Sequence, residues 1–372
     1  MKTLNREAAR AVVDGLWADK ERLVESVVDD GWPEKMVRAG FQRHRRTWDV
    51  EELAESVEAE LSVASAVSGQ YRLVWPRRVH HVWPALPGAG MTPVLMGVLL
   101  GIPQKIRPSS RGLSFARYVG SVAAELSDVE LTLVGPDERW EDAPLVVVSG
   151  SDQTLDVIRR RVAGRVVGYG HRVSLAVVVD GEEVDLAELA RGVAKDVVMW
   201  HQQGCFSVRA VLFCDAEKRG RRDQFCELLA EAIAACEERW DAAGVSDAQA
   251  AQRAQAVGVA QLSGAVFEAG VGYVRPVSEP FLGRQEAIHS VTVHSVAGPE
   301  EVAQAVELTP RQVQGIAIAG AWRGRRDEWL EALAGAGATR VCGVGALQEP
   351  PARWWHDGRP NALGWGRVVT VG

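Results

Sequence analysis

Residues 78–110 read RVHHVWPALPGAGMTPVLMGVLLGIPQKIRPSS and follow one pattern of strand, turn and helix. Arg78–Trp83 is predicted as a strand that ends in the turn-rich segment Pro84–Gly90. A helix is predicted at Thr92–Leu100, and a second strand at Gln104–Arg107. Strands that alternate with helices indicate a parallel sheet with crossover helices.

The alternation continues in both halves of the chain. Further strands are predicted at Glu130–Val134, Pro144–Val148, Arg165–Val167, Val173–Val179, Val208–Phe213, His289–Val296, Gly315–Ala319 and Thr339–Gly343. Helices are predicted at Leu113–Glu125, Asp152–Arg161, Leu186–Trp200, Asp223–Ala242 and Asp247–Ala265. Before the first strand, Val12, Leu16, Leu23 and Val27 recur at helical spacing. The fold class is therefore α/β: two α/β domains with open, mostly parallel sheets, and a helical N-terminal segment at 1–65.

The domain boundary is expected near residue 172. Residues 1–172 form the first domain and 173–372 the second. The C-terminal segment is expected either to return to the first domain or to reach a partner subunit.

Composition excludes several classes of protein. The 372 residues are 47% hydrophobic and 24% charged, as in globular proteins, and 42 basic against 49 acidic residues give a net charge of −7. The sequence contains no basic stripe, so it does not predict nucleic-acid binding. The charged N terminus lacks the apolar core of a signal peptide, and the longest apolar stretch, Met91–Pro103, is too short to span a membrane. We expect a cytoplasmic protein.

Five cysteines without a CxxC or Cys/His cluster predict neither a disulfide framework nor a metal site. Cys205 stands apart, in the segment Trp200–Ser207 (WHQQGCFS) between a predicted helix and a strand. Gly204 permits close backbone approach, and His201 would favour the thiolate, so Cys205 is a candidate nucleophile. The alternative is a buried structural cysteine. The other four cysteines, Cys214, Cys226, Cys236 and Cys342, are predicted to lie in the core.

Two turns at strand ends are candidate phosphate or ribose sites. Ser149–Ser151 joins a buried strand to a helix, so its backbone N–H groups lie at the positive end of the helix dipole. Arg107–Ser110 ends another strand of the same sheet, where an arginine and two hydroxyls suit a ribose or a 2′-phosphate. Ordinary turns are the alternative at both places. The pair His80–His81 is predicted to end its strand with one ring buried and one exposed.

Taken in order, the pieces resemble the acyl-CoA reductases of the LuxC type, within the aldehyde dehydrogenase superfamily. The matching stretches lie between about residues 75 and 365: VHHVWPALPGAGMTPVLMGVLLG, KIRPSS, VVVSGSDQTLDVIRRR, GYGHRVSLAVV, WHQQGCFSVRAVLF and WWHDGRP. The resemblance implies an aldehyde-dehydrogenase-like fold, with the first domain binding a nicotinamide cofactor and the second carrying the nucleophile.

The resemblance also implies residue roles. Cys205 would form an acyl thioester. The cofactor-binding positions would be Arg107, Pro108 and Ser109 at the adenosine ribose, Ser149, Gly150, Ser151 and Thr154 at the pyrophosphate, and Glu279 at the nicotinamide ribose.

Two departures from the family pattern bear on the reaction. Gly168 stands where oxidising aldehyde dehydrogenases carry a general-base Glu, so attack of water on the acyl-enzyme would be slow. Ala85 and its neighbours stand where an Asn side chain usually binds the oxyanion. The expected reaction is reduction of an acyl-CoA or acyl carrier protein thioester to an aldehyde. NADPH is the expected cofactor because of Arg107, with NADH as the alternative.

Two other functions stay open: an aldehyde dehydrogenase that forms the acid, and a non-catalytic oligomeric scaffold. The expected partners are the thioester substrate, an enzyme that supplies the acyl group, and further copies of the same chain.

Overall fold

The computed structural model describes residues 3–65, 71–215, 219–278, 287–306 and 312–370. The chain forms two compact units. Unit 1 comprises Met1–His171 together with Pro350–Gly372, and unit 2 comprises Arg172–Glu349. The chain therefore leaves unit 1 once and rejoins it near its end.

Unit 1 begins with four helices, α1 (Arg6–Ala18), α2 (Lys20–Val28), α3 (Glu34–Thr47) and α4 (Val50–Ser65). The side chains of Asn5 and Asp19 cap α1 and α2 by accepting hydrogen bonds from backbone N–H groups of the first turn. The apolar residues that predicted these helices, Val12, Leu16, Leu23 and Val27, are buried. The helical N-terminal segment is confirmed.

A five-stranded parallel sheet follows the helices. It comes after β1 (Tyr71–Val74), which belongs to a separate two-stranded sheet. The elements of the five-stranded sheet and its crossovers are β2 (Val79–Trp83), α5 (Met91–Leu99), β3 (Gln104–Pro108), α6 (Leu113–Leu126), β4 (Leu131–Leu133), β5 (Leu145–Ser149), α7 (Asp152–Arg161) and β6 (Arg165–Tyr169). The sheet order is β4-β3-β2-β5-β6. Because the order reverses direction between β2 and β5, a crevice forms at the carboxyl ends of these strands, where open α/β sheets bind ligands.

Both histidines of β2 are buried, and the prediction that one ring is exposed was wrong. His80 is 5% and His81 3% exposed. The central strand of a parallel sheet is covered on both faces, so alternate side chains are buried in either direction. His80 meets Trp140 edge-on at 5.6 Å. On the other face, Nε2 of His81 lies 2.8 Å from Oε1 of Gln104.

Unit 2 is built on a seven-stranded sheet. Its elements are β7 (Val173–Val179), α8 (Leu186–Val198), β8 (Val208–Cys214), α9 (Arg222–Trp240), α10 (Asp247–Ser263), β9 (Phe267–Ala269), β10 (Gly272–Val277), β11 (Val291–Val296), α11 (Val302–Ala305), β12 (Val313–Gly320), α12 (Arg326–Gly335) and β13 (Arg340–Cys342). The order is β13-β12-β7-β8-β11-β10-β9, in which β9 is antiparallel to β10 and the other pairs are parallel. The predicted α/β class with mostly parallel sheets is confirmed.

The last strand, β14 (Arg367–Thr370), pairs antiparallel with β1 in unit 1. The segment before it is bonded to α4 by Glu60, whose carboxylate accepts the backbone N–H groups of Asn361, Ala362 and Leu363 at 2.8, 2.7 and 3.0 Å. Burial raises the pKa of Glu60, against the effect of these hydrogen bonds. One buried carboxylate thus holds the C-terminal segment to the helical part of unit 1.

In the described part of the chain, no helix combines the length and the apolar character that crossing a membrane requires.

Candidate active site

A cleft of about 1040 Å³ opens in unit 1 at the carboxyl ends of β2, β3 and β4. Helices α6 and α7 contribute its side walls through Leu113 and Val157, among others. Five of the predicted cofactor residues line it together: Arg107, Pro108, Ser109, Ser151 and Thr154. The structure therefore joins two segments that lie about forty residues apart in the sequence.

Two further predicted cofactor residues, Ser149 and Gly150, do not line this cleft as the described residues form it. Ser149 ends β5, and Gly150 continues the turn with its N–H donating to the Tyr169 carbonyl at 3.1 Å. Glu279 lies outside the described residues.

Ser151 is the N-cap of α7. Its Oγ accepts the N–H of Thr154 at 3.2 Å and lies 3.0 Å from the Thr154 hydroxyl. The neighbouring Asp152 accepts the N–H of His171 at 3.0 Å through Oδ1. Because Asp152 is bonded to the turn after β6, the first turn of α7 presents two hydroxyls to the cleft and not this carboxylate.

The arginine of the cleft is held against an aromatic ring. The guanidinium carbon of Arg107 lies 5.5 Å from the centre of the Trp140 ring, within the range of a cation–π contact. Nearby, the buried Oγ of Ser109 has no hydrogen-bond partner among the described residues. A buried hydroxyl normally has a partner, so this atom is suited to a ligand hydroxyl. These features fit a nucleotide with ribose and phosphate groups.

In unit 2, the chain enters the Cys205 segment through a strained turn. Trp200, His201 and Gln202 have φ of 56°, 52° and 58°, so three consecutive residues other than glycine are left-handed. This conformation costs about 1–2 kcal/mol per residue and persists only where the surroundings impose it. The sequence predicted a continuous helix to Trp200, whereas α8 ends at Val198.

Buried hydrogen bonds impose that turn. The Gln202 side chain is fully buried, and its Nε2 donates to the carbonyls of Val208 at 2.8 Å and Ser290 at 3.0 Å. Arg209 donates through Nη2 to the Gln202 carbonyl at 3.2 Å. Three hydrogen bonds therefore fix Gln202, the last residue of the turn, to the rest of unit 2.

Cys205 itself is half-buried, three residues before β8. Its carbonyl accepts the hydroxyl of Ser174 at 2.8 Å, and the same hydroxyl oxygen accepts the N–H of Gly315 at 3.1 Å. On the other side, Ser207 donates its N–H to Gly204 at 3.0 Å. These hydrogen bonds connect the backbone of Cys205 to β7 and β12. A fixed backbone suits a nucleophile, because attack requires a defined position of the reacting atom.

The structure shows a histidine pair beside this turn that sequence reasoning missed. The His201 ring stacks on His289 with centres 5.7 Å apart and planes at 11°. Nδ1 of His289 lies 2.6 Å from Oε1 of Glu237, whose Oε2 accepts the N–H of Val271 at 3.0 Å. His289 and Glu237 are almost fully buried. They come from elements more than fifty residues apart, so no local pattern in the sequence links them.

The other four cysteines differ from one another in burial. Cys214 and Cys226 are buried, as predicted, whereas Cys236 and Cys342 are half-buried. Burial raises the pKa of Cys226 to about 12 and that of Cys342 to about 11. Both thiols are therefore poor nucleophiles near neutral pH.

Gly168, which the family resemblance aligns with the general-base position, lies in β6 beside Val148 of β5. A Cβ at this position would lie 2.3 Å from Cδ2 of Leu155, closer than any real contact. A side chain at this position would require the Leu155 side chain to shift.

The fold is similar to those of several solved structures. An oxidoreductase from Marinobacter aquaeolei has a TM-score of 0.73 at 15% identity, with 98% of this chain and 85% of that chain covered. An NAD-dependent aldehyde dehydrogenase from Sinorhizobium meliloti has a TM-score of 0.72 at 16% identity, covering 100% and 82%. The aldehyde dehydrogenase KauB from Pseudomonas aeruginosa reaches 0.74 at 12% identity, covering 98% and 83%. The fold is that of the aldehyde dehydrogenases.

Residues 13–363 match the family model described as acyl-CoA reductase (LuxC). The chain belongs to this family, and the resemblance seen in its motifs is confirmed. A search of curated protein sequences found no match to the chain.

Proposed function

We propose that the protein reduces the thioester of an acyl-CoA or an acyl carrier protein to an aldehyde, with Cys205 as the nucleophile. Membership of the acyl-CoA reductase family supports the reaction class. The observation that carries the direction of the reaction is Gly168, where Leu155 fills the space of a side chain. Without a carboxylate at this position, water lacks a base to activate it against an acyl-enzyme.

Cys205 performs the covalent step. Its thiolate attacks the thioester carbonyl, the tetrahedral oxyanion collapses, and the carrier thiolate leaves and takes up a proton. The acyl group is then bound to Sγ as a new thioester. The hydrogen bond from Ser174 and the buried Gln202 side chain support this role because they fix the backbone that carries Sγ.

The cleft of unit 1 is the proposed site for NADPH. Ser151 and Thr154 would hold the pyrophosphate at the N terminus of α7, and Ser109 would bond the adenosine ribose. Arg107 would pair with the 2′-phosphate, which favours NADPH over NADH. When bound, the reduced nicotinamide supplies the hydride that takes the acyl group to the aldehyde level.

The proposed site has fewer hydrogen-bond donors for the oxyanion than the aldehyde dehydrogenase pattern provides. Ala85 has no side-chain donor, and we propose that the backbone N–H of Cys205 binds the oxyanion alone. Loss of one donor from an oxyanion hole costs about 10²-fold in rate in other enzymes. We expect a correspondingly modest turnover. We also propose a cytoplasmic homo-oligomer that receives its acyl group from a separate acyl-activating enzyme.

The test is a product assay with acetyl-, octanoyl- and palmitoyl-CoA and each reduced nicotinamide nucleotide. The proposal predicts aldehyde formation and thiol release in equal amounts, lost in Cys205→Ala and kept in Cys236→Ala. Cys236 is a half-buried cysteine of the same unit, so it is a matched control. Acid formation from an aldehyde and NAD(P)⁺, without the reductive reaction, would instead show a conventional aldehyde dehydrogenase. Failure to bind any nicotinamide nucleotide would favour the scaffold.

A further inference from the structure

We propose that unit 1 binds the phosphate group of a small metabolite in a second, basic pocket. This pocket has a volume of about 700 Å³ and is lined by Arg77, Arg78, His80, Lys105 and Arg139. Phosphate binding in this pocket would be a function separate from the proposed reductase reaction, and the proposal does not depend on that reaction.

The basic pocket lies toward the amino ends of β2 and β3, and Glu141 lines both this pocket and the cofactor cleft. Arg77 and Arg78 precede β2, and Lys105 is the second residue of β3. The cleft, by contrast, is lined by Val82 and Arg107 nearer the carboxyl ends of the same two strands. Trp140 contacts a residue of each site, with the His80 ring at 5.6 Å and the Arg107 guanidinium at 5.5 Å from its centre.

The pocket carries an excess of positive charge. Four cationic side chains line it, against the two carboxylates of Glu141 and Asp142. Lys105 also forms an ion pair with Glu138, which leaves the three arginines as the main donors. This excess would attract the phosphate group, and the planar guanidinium group donates to two phosphate oxygens at once.

Two buried donors of the pocket lack partners among the described residues. Nε of Arg78 and Nδ1 of His80 are both buried without a hydrogen bond, and the whole His80 residue is 5% exposed. An unsatisfied buried polar atom is costly, so a native structure rarely keeps one without a ligand, ion or water. Phosphate oxygens are acceptors of the kind that both atoms need.

The charge state of His80 agrees with this assignment. Burial lowers its pKa, and the charges of Lys105 and Arg78 lower it further, while Glu138 acts in the other direction. A neutral imidazole with its proton on Nδ1 can donate to an anion. The bound anion would then raise the pKa of His80, which provides a local signal of binding.

Nuclear magnetic resonance of the full chain labelled with ¹⁵N-histidine tests the proposal, with inorganic phosphate as the probe. The His80 signal is assigned by its loss in His80→Gln. We expect a saturable shift of this signal, and about tenfold more phosphate for half-saturation in Arg78→Gln, since one charge-assisted hydrogen bond is lost. Arg107→Gln, in the cofactor cleft, and Arg46→Gln, an exposed arginine of α3, should titrate like the wild type.

Arg77→Gln provides a second variant, because Arg77 is exposed and its loss leaves the core of unit 1 unchanged. It should also weaken the phosphate titration. The proposal is overturned if the His80 signal does not move with phosphate, which would leave only water in the pocket. It is equally overturned if both pocket variants titrate like the wild type.

Discussion

Leu155 of α7 packs against the backbone of Gly168 so closely that a Cβ on residue 168 would lie 2.3 Å from its Cδ2. The helix that carries Leu155 also presents Ser151 and Thr154 to the cleft. The helix that forms the proposed pyrophosphate site therefore also places Leu155 in the space that a general-base side chain at residue 168 would need. A Glu at this position would therefore require the Leu155 side chain to move.

Gly168→Ala should destabilise unit 1. The added methyl group overpacks the contact with Leu155, and overpacking typically costs about 1–3 kcal/mol. Urea unfolding measures the loss. Gly135→Ala is the control, because nothing lies within 4 Å of a Cβ at that position, and it should change stability by less than about 0.5 kcal/mol. Equal stability of the two variants would show that Leu155 yields at no cost.

Ser174→Ala should slow acylation of Cys205. It removes the hydroxyl that bonds the Cys205 carbonyl at 2.8 Å and accepts the Gly315 N–H at 3.1 Å. We expect about a tenfold lower rate of acyl transfer, because small displacements of a nucleophile are costly. Thr339→Ala is the matched control in the same unit, since it removes a 2.7 Å hydroxyl bond to the Gln314 carbonyl. Stopped-flow release of the carrier thiol distinguishes the two, and an unchanged rate in Ser174→Ala refutes the positioning role.

Arg107→Gln should raise the KM for NADPH about tenfold and leave that for NADH nearly unchanged. The reason is the loss of one charge-assisted pair with the 2′-phosphate. Arg111→Gln, an exposed arginine four residues away, serves as the control. If Arg107→Gln raises both KM values equally, the guanidinium supports Trp140 and the fold of the cleft and does not select the phosphate.

Acid should destabilise unit 1 before its carboxylates titrate. Burial lowers the pKa of His44 and of His81 from 6.5 to about 4. Between pH 6.5 and about 4, these histidines bind protons in the unfolded chain but not in the folded chain. The free energy of unfolding therefore decreases as the pH is lowered through this range. Each histidine contributes at most about 1.4 kcal/mol per pH unit in this window.

Urea unfolding at about pH 7.5 and about pH 5 measures this slope. His81→Gln should reduce it, whereas His171→Gln should not, because His171 is exposed. A slope that is the same in both variants would mean that His81 titrates normally in the folded protein.

The bounds of helices and strands are predicted well from the sequence where a local sequence pattern determines them. The bounds of α7 and β7 agree with the prediction to the residue, because a capped amphipathic helix and a continuous apolar run are local signals. The left-handed turn at Trp200–Gln202 was not predictable, since hydrogen bonds from Gln202 to distant carbonyls impose it against local preference. The same holds for the Glu237–His289 pair and for the pairing of β1 with β14, which depend on contacts remote in sequence.

The candidate site was predictable to the extent that its residues carry recognisable motifs. Arg107, Ser109, Ser151 and Thr154 were found from strand-end patterns and from the family resemblance, and the fold brings them into one cleft. Trp140 was not foreseen, because its contact with Arg107 depends on how the loop before β5 packs.

The covalent role of Cys205 is the central claim, and intact-protein mass spectrometry after mixing with acyl-CoAs, without reductant, tests it most directly. The account predicts a mass increase of one acyl group, absent in Cys205→Ala, present in Cys236→Ala, and cleared on addition of NADPH. Persistence of the adduct in Cys205→Ala, or no adduct with any thioester on folded protein, would contradict the claim.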